Sequence, residues 1–157
     1  MKEIELVGGL VALVDDEDFE EINKYKWTVH HSKRSKYAVR DIYKDGTHIR
    51  RRMHTEILGI SPIDHIDSNG LNNQKSNLRA CTQKQNSMNT RSHIDSTSKY
   101  KGVSWVSKYK KWRSEIYFNG KTIYLGWFDD EIVAAKEYDK KSLELFGEWG
   151  KTNFEYK

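Results

Sequence analysis

Ile63-Asp64-His65-Ile66-Asp67-Ser68-Asn69 sets a carboxylate beside an imidazole and follows them at once with turn-forming residues. Asn72-Asn73, Ser76-Asn77-Leu78-Arg79 and Gln83-Lys84-Gln85-Asn86 come next. The pattern reads as a short strand at 63–65, a polar loop from Asp67 to Asn73, and a second strand from Leu78 to Thr82. A helix carrying Gln85, Asn86 and Asn89 then follows, with Thr82 as its cap. Adjacent side chains on a strand point to opposite faces. Asp64 and His65 can therefore act on one phosphate only at a strand end, or if another element adds a second ligand. The helix after Thr82 could supply one through the amide oxygen of Asn86.

Upstream, residues 3–14 read as two short strands around Gly8-Gly9, and Asp15-Asp16 as the N-cap of a helix over about 16–24. Six acids lie within residues 15–21, where they suit a helix start better than a metal site. Phe19 and Ile22 are that helix's buried side. Tyr37 to Tyr43 alternates as a strand, Lys44-Asp45-Gly46 turns, and Thr47 to Met53 returns. Arg50, Arg51 and Arg52 end this hairpin, where they can reach phosphates. His54 to Leu58 suits a short helix stopped by Gly59, with His54 structural or phosphate-facing. His30, His31, His48 and His93 read as surface residues.

Downstream, residues 90–98 are a polar linker without hydrophobic periodicity. Strands are expected at 101–106, 112–118 and 121–127, with Asn119-Gly120 as the second turn. A helix capped by Asp129 or Asp130 runs to about Phe146, with Ile132, Ala135, Tyr138, Ser142 and Leu145 at helical spacing. Trp112, Ser114, Ile116 and Phe118 share one sheet face, and Arg113, Glu115 and Tyr117 the other. Ile123, Leu125 and Trp127 are placed on the apolar face, and Trp105, Trp112 and Trp127 in packing roles. The expected class is therefore α+β. N-terminal β-hairpins and a strand–strand–helix unit come first, then a three-stranded antiparallel sheet packed on one helix.

Charge points to a polyanion. The net charge is only +4, but residues 33–52 hold eight Lys or Arg against Asp41 and Asp45. Residues 99–121 hold seven against Glu115 alone, and residues 122–157 hold five against eight acids. The C-terminal sheet is thus positive and its helix negative. Mean hydropathy is −0.87, yet 12% aromatic residues argue against disorder. The single cysteine, Cys81, excludes an internal disulfide and a Cys-based zinc site and reads as a small buried strand residue. No signal peptide or membrane-length apolar run is present, so the expectation is a cytoplasmic protein with no membrane association.

Asp-His-Ile-Asp-x-Asn at 64–69, Asn72-Asn73, Asn77-Leu78-Arg79 and Thr82-Gln-x-x-Asn86 resemble the HNH family, in the branch found in phage and intron-encoded homing endonucleases. The resemblance implies a ββα-metal fold and a single-metal phosphodiesterase. By it, His65 is the general base, Asp64 and Asn86 hold Mg2+ or another divalent cation such as Mn2+, and Asn77 braces the loop that positions His65. Many members have His where Asn86 stands. Tyr100-Lys-Gly-Val-Ser-Trp105, Lys111-Trp-Arg-Ser-Glu-Ile116, Tyr124-Leu-Gly-Trp-Phe128, Ala134-Ala-x-x-Tyr-Asp139 and Asn153-Phe154 resemble the APETALA2/ethylene-response-factor DNA-binding domain. That resemblance implies a sheet reading the major groove of duplex DNA. Lys101, Ser104, Arg113, Glu115, Tyr117 and Tyr124 stand at matching positions, and Lys110, Lys121, Arg79 and the Arg50–Arg52 run are further candidate contacts. The organisation expected is a nuclease domain at 1–90, a linker at 91–98 and a DNA-binding domain at 99–157, with no small-molecule cofactor. The alternative is a DNA-binding regulator with an inactive HNH module.

Overall fold

The computed structural model describes residues 1–32, 35–89 and 96–156. The chain divides into two compact units, Met1–Asn86 and Ser87–Lys157. The expected linker falls largely on residues 90–95, which lie outside the described residues, as does His93.

The first unit opens with strands β1 (Lys2–Val7) and β2 (Val11–Val14) around the glycine pair, then helix α1 (Asp16–Ile22). Strands β3 (Trp27–His31), β4 (Lys36–Lys44) and β5 (Thr47–Arg52) complete a five-stranded sheet of order β2-β1-β3-β4-β5. The β1–β3 pair is parallel and the remaining pairs antiparallel. Strand β3 has no counterpart among the sequence expectations. Its apolar residues, Trp27 and Val29, are only two, and His30-His31 break the hydrophobic signal. Trp27 is nonetheless fully buried and donates its indole N–H to the Ile22 carbonyl at 2.8 Å. Ile4, Leu6, Ala12, Val14, Ile22, Ala38 and Met53 pack with it as one core. Ile22 is the buried residue of α1, as expected, with Phe19 partly buried beside the core.

Helix α2 (Met53–Leu58) follows β5 directly and ends at Gly59 in the left-handed region. Arg40 of β4 holds it through Glu56, with Nε to Oε1 at 3.0 Å and Nη2 to Oε1 at 2.9 Å. Strands β6 (Ile63–His65) and β7 (Leu78–Ala80) pair antiparallel, with Asp64 opposite Arg79. Cys81 lies just past β7 and is only partly buried, because the strand is shorter than expected. Helix α3 (Gln83–Met88) begins at a reciprocal cap. Gln85 N donates to Thr82 Oγ1 at 3.2 Å, and Thr82 N donates to Gln85 Oε1 at 2.7 Å, satisfying two backbone donors.

In the second unit, β8 (Val103–Val106), β9 (Lys111–Phe118) and β10 (Lys121–Phe128) form an antiparallel sheet of order β10-β9-β8. Helix α4 (Glu131–Phe146) starts at Asp130, whose carboxylate accepts from Val133 N at 2.9 Å. Its buried face is Ala134, Ala135, Tyr138, Asp139 and Ser142. Ile132 was expected on that face and is 45% exposed. Buried Asp139 accepts from Asn153 N, Asn153 Nδ2, Phe154 N and the Tyr156 hydroxyl at 2.7–3.1 Å, which ties the C-terminal segment to α4. The β9–β10 register shifts between Tyr124 and Gly126. That bulge overturns the expected face of Trp127: it pairs with Arg113 and is 46% exposed. Simple alternation fails because one extra residue on β10 reverses the facing of everything after it.

Candidate active site

His65 ends β6, and the chain turns immediately: Ser68 N donates to the His65 carbonyl at 2.8 Å with Ser68 at φ 60°. Asp67 stabilises the turn by accepting from Asn69 N at 2.7 Å and Asn72 Nδ2 at 2.9 Å. Asn77 then braces the loop from inside. Its Oδ1 accepts from Asp67 N at 3.0 Å, and its Nδ2 donates to Asp67 Oδ1 at 3.0 Å and to the Asn72 carbonyl at 2.8 Å. The loop is also pinned to the start of α1. Asp15 caps nothing with its side chain, contrary to expectation. Its carboxylate accepts instead from Lys75 N at 2.8 Å and Gln74 Nε2 at 3.2 Å.

His65 is buried, and its Nε2 lies 3.5 Å from Asn73 Oδ1. Asn73 is fully buried and spends its Nδ2 on the Leu71 carbonyl at 3.1 Å. The oxygen is therefore the atom turned to His65, and an acceptor there requires a proton on Nε2. The contact is long, as catalytic hydrogen bonds often are before substrate arrives. Burial lowers the His65 pKa, against the opposing pull of Asn73, Asp67 and Asp64.

Two more rings close on the same imidazole. His54 of α2 stands edge-to-face with His65, ring centres 4.8 Å apart, and Tyr37 of β4 lies 5.9 Å from each histidine. His54 is 4% exposed, and its Nδ1 is buried without a hydrogen-bond partner. Burial, then the neighbouring His65 and Arg52, pushes its pKa down to about 3. Asn73, His54 and Tyr37 were not singled out as neighbours of His65 from sequence. Only the long-range packing of α2, β4 and the loop brings them together.

Asp64 meets a different partner. Arg79 lies directly across the β6–β7 ladder and sends Nε and Nη2 to Asp64 Oδ2 at 2.9 and 2.8 Å. The two side chains are 15% and 5% exposed. Arg79, expected to face DNA, is here turned inward. Asn86 sits partly buried on α3.

The remaining candidates are spread over two surfaces. Arg50 and Arg52 are exposed on β5, with Arg50 paired to Asp41 at 2.8 and 3.0 Å and the Arg52 guanidinium 5.6 Å from the Tyr37 ring. Arg51 is exposed opposite Arg40. His48 also reaches Asp41, at 3.1 Å. In the second unit, Ser104, Arg113, Glu115, Tyr117 and Tyr124 share the sheet face turned away from α4, and Arg113 pairs with Glu115 at 3.1 Å. Lys110 and Lys121 flank that sheet at its turns, and Lys101 precedes β8.

No protein-family model matches the chain. An uncharacterized HNH endonuclease of Acanthamoeba polyphaga mimivirus is 35% identical over 151 residues, covering 92% of this chain and 75% of that protein. Protein 3.8 of Escherichia phage T7 is 42% identical over 59 residues, which is 38% of this chain and 49% of that protein. APETALA2-like protein 2 of Oryza sativa subsp. japonica is 36% identical over 58 residues, 37% of this chain and 13% of that protein. Among the described residues no helix is long and apolar enough to cross a membrane. With an Asp-His pair on a two-stranded ladder, a helix after it and a viral relative matched along most of the length, the chain belongs to the HNH endonuclease family.

Proposed function

We propose that this enzyme is a homing-type DNA endonuclease that depends on a divalent cation, with its first unit cutting and the sheet of its second unit reading duplex DNA. The observation that carries the reading is the setting of His65. It is a buried imidazole at a strand end, its pKa lowered by burial, with Nε2 facing the amide oxygen of Asn73.

Asp64 and Asn86 are the residues that would hold the cation. Their chemistry fits one: a carboxylate and a carboxamide are hard oxygen donors, and among the described residues no cluster of three or more His, Cys, Asp or Glu accompanies them. Such a set suits an ion that keeps several waters, as Mg2+ or Mn2+ does. The bound cation would offset the charge that grows on the phosphate during attack. His65 Nδ1 takes the proton of the attacking water, and Asn73 Oδ1 steadies the proton on Nε2 as the ring becomes cationic. The water oxygen bonds to phosphorus, and the 3′ oxygen leaves and collects a proton from solvent. Asn77 keeps the turn after His65 in place. Arg79 holds Asp64 across the ladder and sets the carboxylate that would ligate the cation.

Supercoiled plasmid incubated with the enzyme and Mg2+ tests this. Nicked or linear DNA is expected, and EDTA should abolish it. His65→Ala should slow cutting by roughly a hundredfold or more while duplex affinity stays unchanged. Equal loss of cutting and binding would remove His65 from the role of base. Binding without conversion under any divalent cation would favour a DNA-binding regulator with an inactive HNH module, a reading to which the Asp64–Arg79 pair lends support.

A further inference from the structure

The face of the second unit's sheet turned away from α4 is unusually aromatic for a solvent-facing surface. Tyr117 is 67% exposed, Tyr124 68%, Tyr109 54% and Trp127 46%. On the helix side, Val103, Ser114 and Ile116 are buried. Exposed aromatic groups of this density mark an interaction surface.

Trp127 reaches that face only because of the bulge. The register runs Tyr124↔Glu115, then Gly126↔Ser114 and Trp127↔Arg113, so Leu125 is the extra residue. Gly126 has φ 143°, a conformation that L side chains rarely adopt. Ser104, Arg113 and Trp127 consequently stand in one row across all three strands. Within that row Ser104 Oγ and Arg113 Nε are both shielded from solvent and make no hydrogen bond. Buried polar atoms are normally satisfied, and two such atoms side by side are costly unless a partner completes them. The indole of Trp127 stands edge-to-face on Tyr109, ring centres 5.1 Å apart, in the lysine-rich turn between β8 and β9. The Arg113 guanidinium lies 6.0 Å from the Tyr124 ring and the Lys108 ammonium 5.3 Å from the Tyr109 ring.

We propose that Trp127, braced by Tyr109, is a DNA contact of this face. Its indole makes an apolar contact with the duplex beside the phosphate and base contacts of Arg113 and Ser104. Duplex DNA is the occupant because the charge fits it: Lys111 and Arg113 stand on this face by register, and Lys108 and Lys110 lie in the turn that carries Tyr109, against Glu115 and Asp129. A basic rim with apolar groups inside it matches a groove, where sugars and thymine methyls are the apolar features between phosphates. The proposal rests on the reading of this sheet as the DNA-binding face.

The test is equilibrium binding of the full chain to a random-sequence duplex pool in EDTA, across a range of salt concentrations. Trp127→Ala should weaken binding by roughly tenfold and leave the slope of log affinity against log salt unchanged, because an indole releases no counterions. Trp127→Phe should recover part of the loss. Arg113→Ala should weaken binding and lower the slope by about 1. Each variant is checked by near-ultraviolet circular dichroism, and Trp112→Phe on the helix side should bind as wild type does. Wild-type binding by Trp127→Ala, with Arg113→Ala and Tyr124→Ala impaired, would overturn the proposal and leave the sheet reading standing. Wild-type binding by all three would overturn both. A Trp127→Ala chain that binds DNA fully but changes from dimer to monomer would assign the face to a second copy and overturn the proposal.

Discussion

At the residue scale, His65 is held by one near neighbour in sequence and two distant ones. Asn73 follows it by one loop, His54 comes from α2 and Tyr37 from β4. The short strand ending at His65, the polar turn after it and the pairing strand at Leu78 were legible because turn and strand signals are local information, while the roles given to Asp64, His65, Asn77 and Asn86 rest on the family resemblance. His54 was not, because a lone histidine after an arginine run carries no sign of what it will touch. Its burial has a measurable cost. Unfolded His54 takes up a proton near 6.5 and folded His54 only near 3. Between those values the unfolded chain binds more protons, so stability is full above 6.5 and is lost as pH falls towards 3. The slope is up to about 1.4 kcal/mol per pH unit. Urea denaturation on either side of pH 6.5 measures it, and His54→Phe should flatten the dependence. An unchanged slope in that variant would place the acid sensitivity elsewhere.

At the element scale, the loop after β6 works because β4 lets it come close. Gly70 lies against β4 so tightly that an added methyl would sit 2.5 Å from the Lys36 carbonyl and from the Tyr37 ring. The backbone oxygen cannot swing aside, so Gly70→Ala must move the loop. A displacement of about 1 Å can cost on the order of a hundredfold in rate. We therefore expect Gly70→Ala to lower plasmid nicking at least tenfold with secondary structure retained; wild-type nicking would show that the loop can shift without disturbing His65. Elements read from strong local signals came out close to expectation: the turns at Gly8-Gly9, Gly46 and Gly120, the Thr82 cap and the Asp130 cap. Those that depend on tertiary pairing did not. Strand β3 has too few apolar residues to declare itself, and the face of Trp127 is decided by a single extra residue that alternation cannot reveal.

At the scale of the whole molecule, net charge understates what the chain presents to DNA. The +4 total averages acidic α1 and α4 against two basic stretches. Removing residues 99–157 takes away one of those stretches and the aromatic sheet. Affinity for duplex DNA should fall by roughly tenfold or more, and cut sites should scatter. Electrophoretic binding and end-mapping of plasmid products measure the two effects, and unchanged affinity would remove the sheet from the role of reader. The chain divides between Asn86 and Ser87, a few residues before the polar stretch 90–98 where the sequence places its boundary.

The pairing of Asp64 with Arg79 also bears on how the proposed cation-dependent enzyme would endure without an ion. A buried carboxylate that lost its ion and had no other partner would strain the fold, as happens in small domains that unfold when stripped of zinc. Here the guanidinium across the ladder is a resident counter-charge. If the enzyme depends on a cation as proposed, this counter-charge would keep the fold intact in the metal-free state. A chelator should silence cutting at once, leave Tm essentially where it was, and permit full recovery when Mg2+ is restored. A large fall in Tm on chelation would show that the cation, and not Arg79, keeps Asp64 in its place.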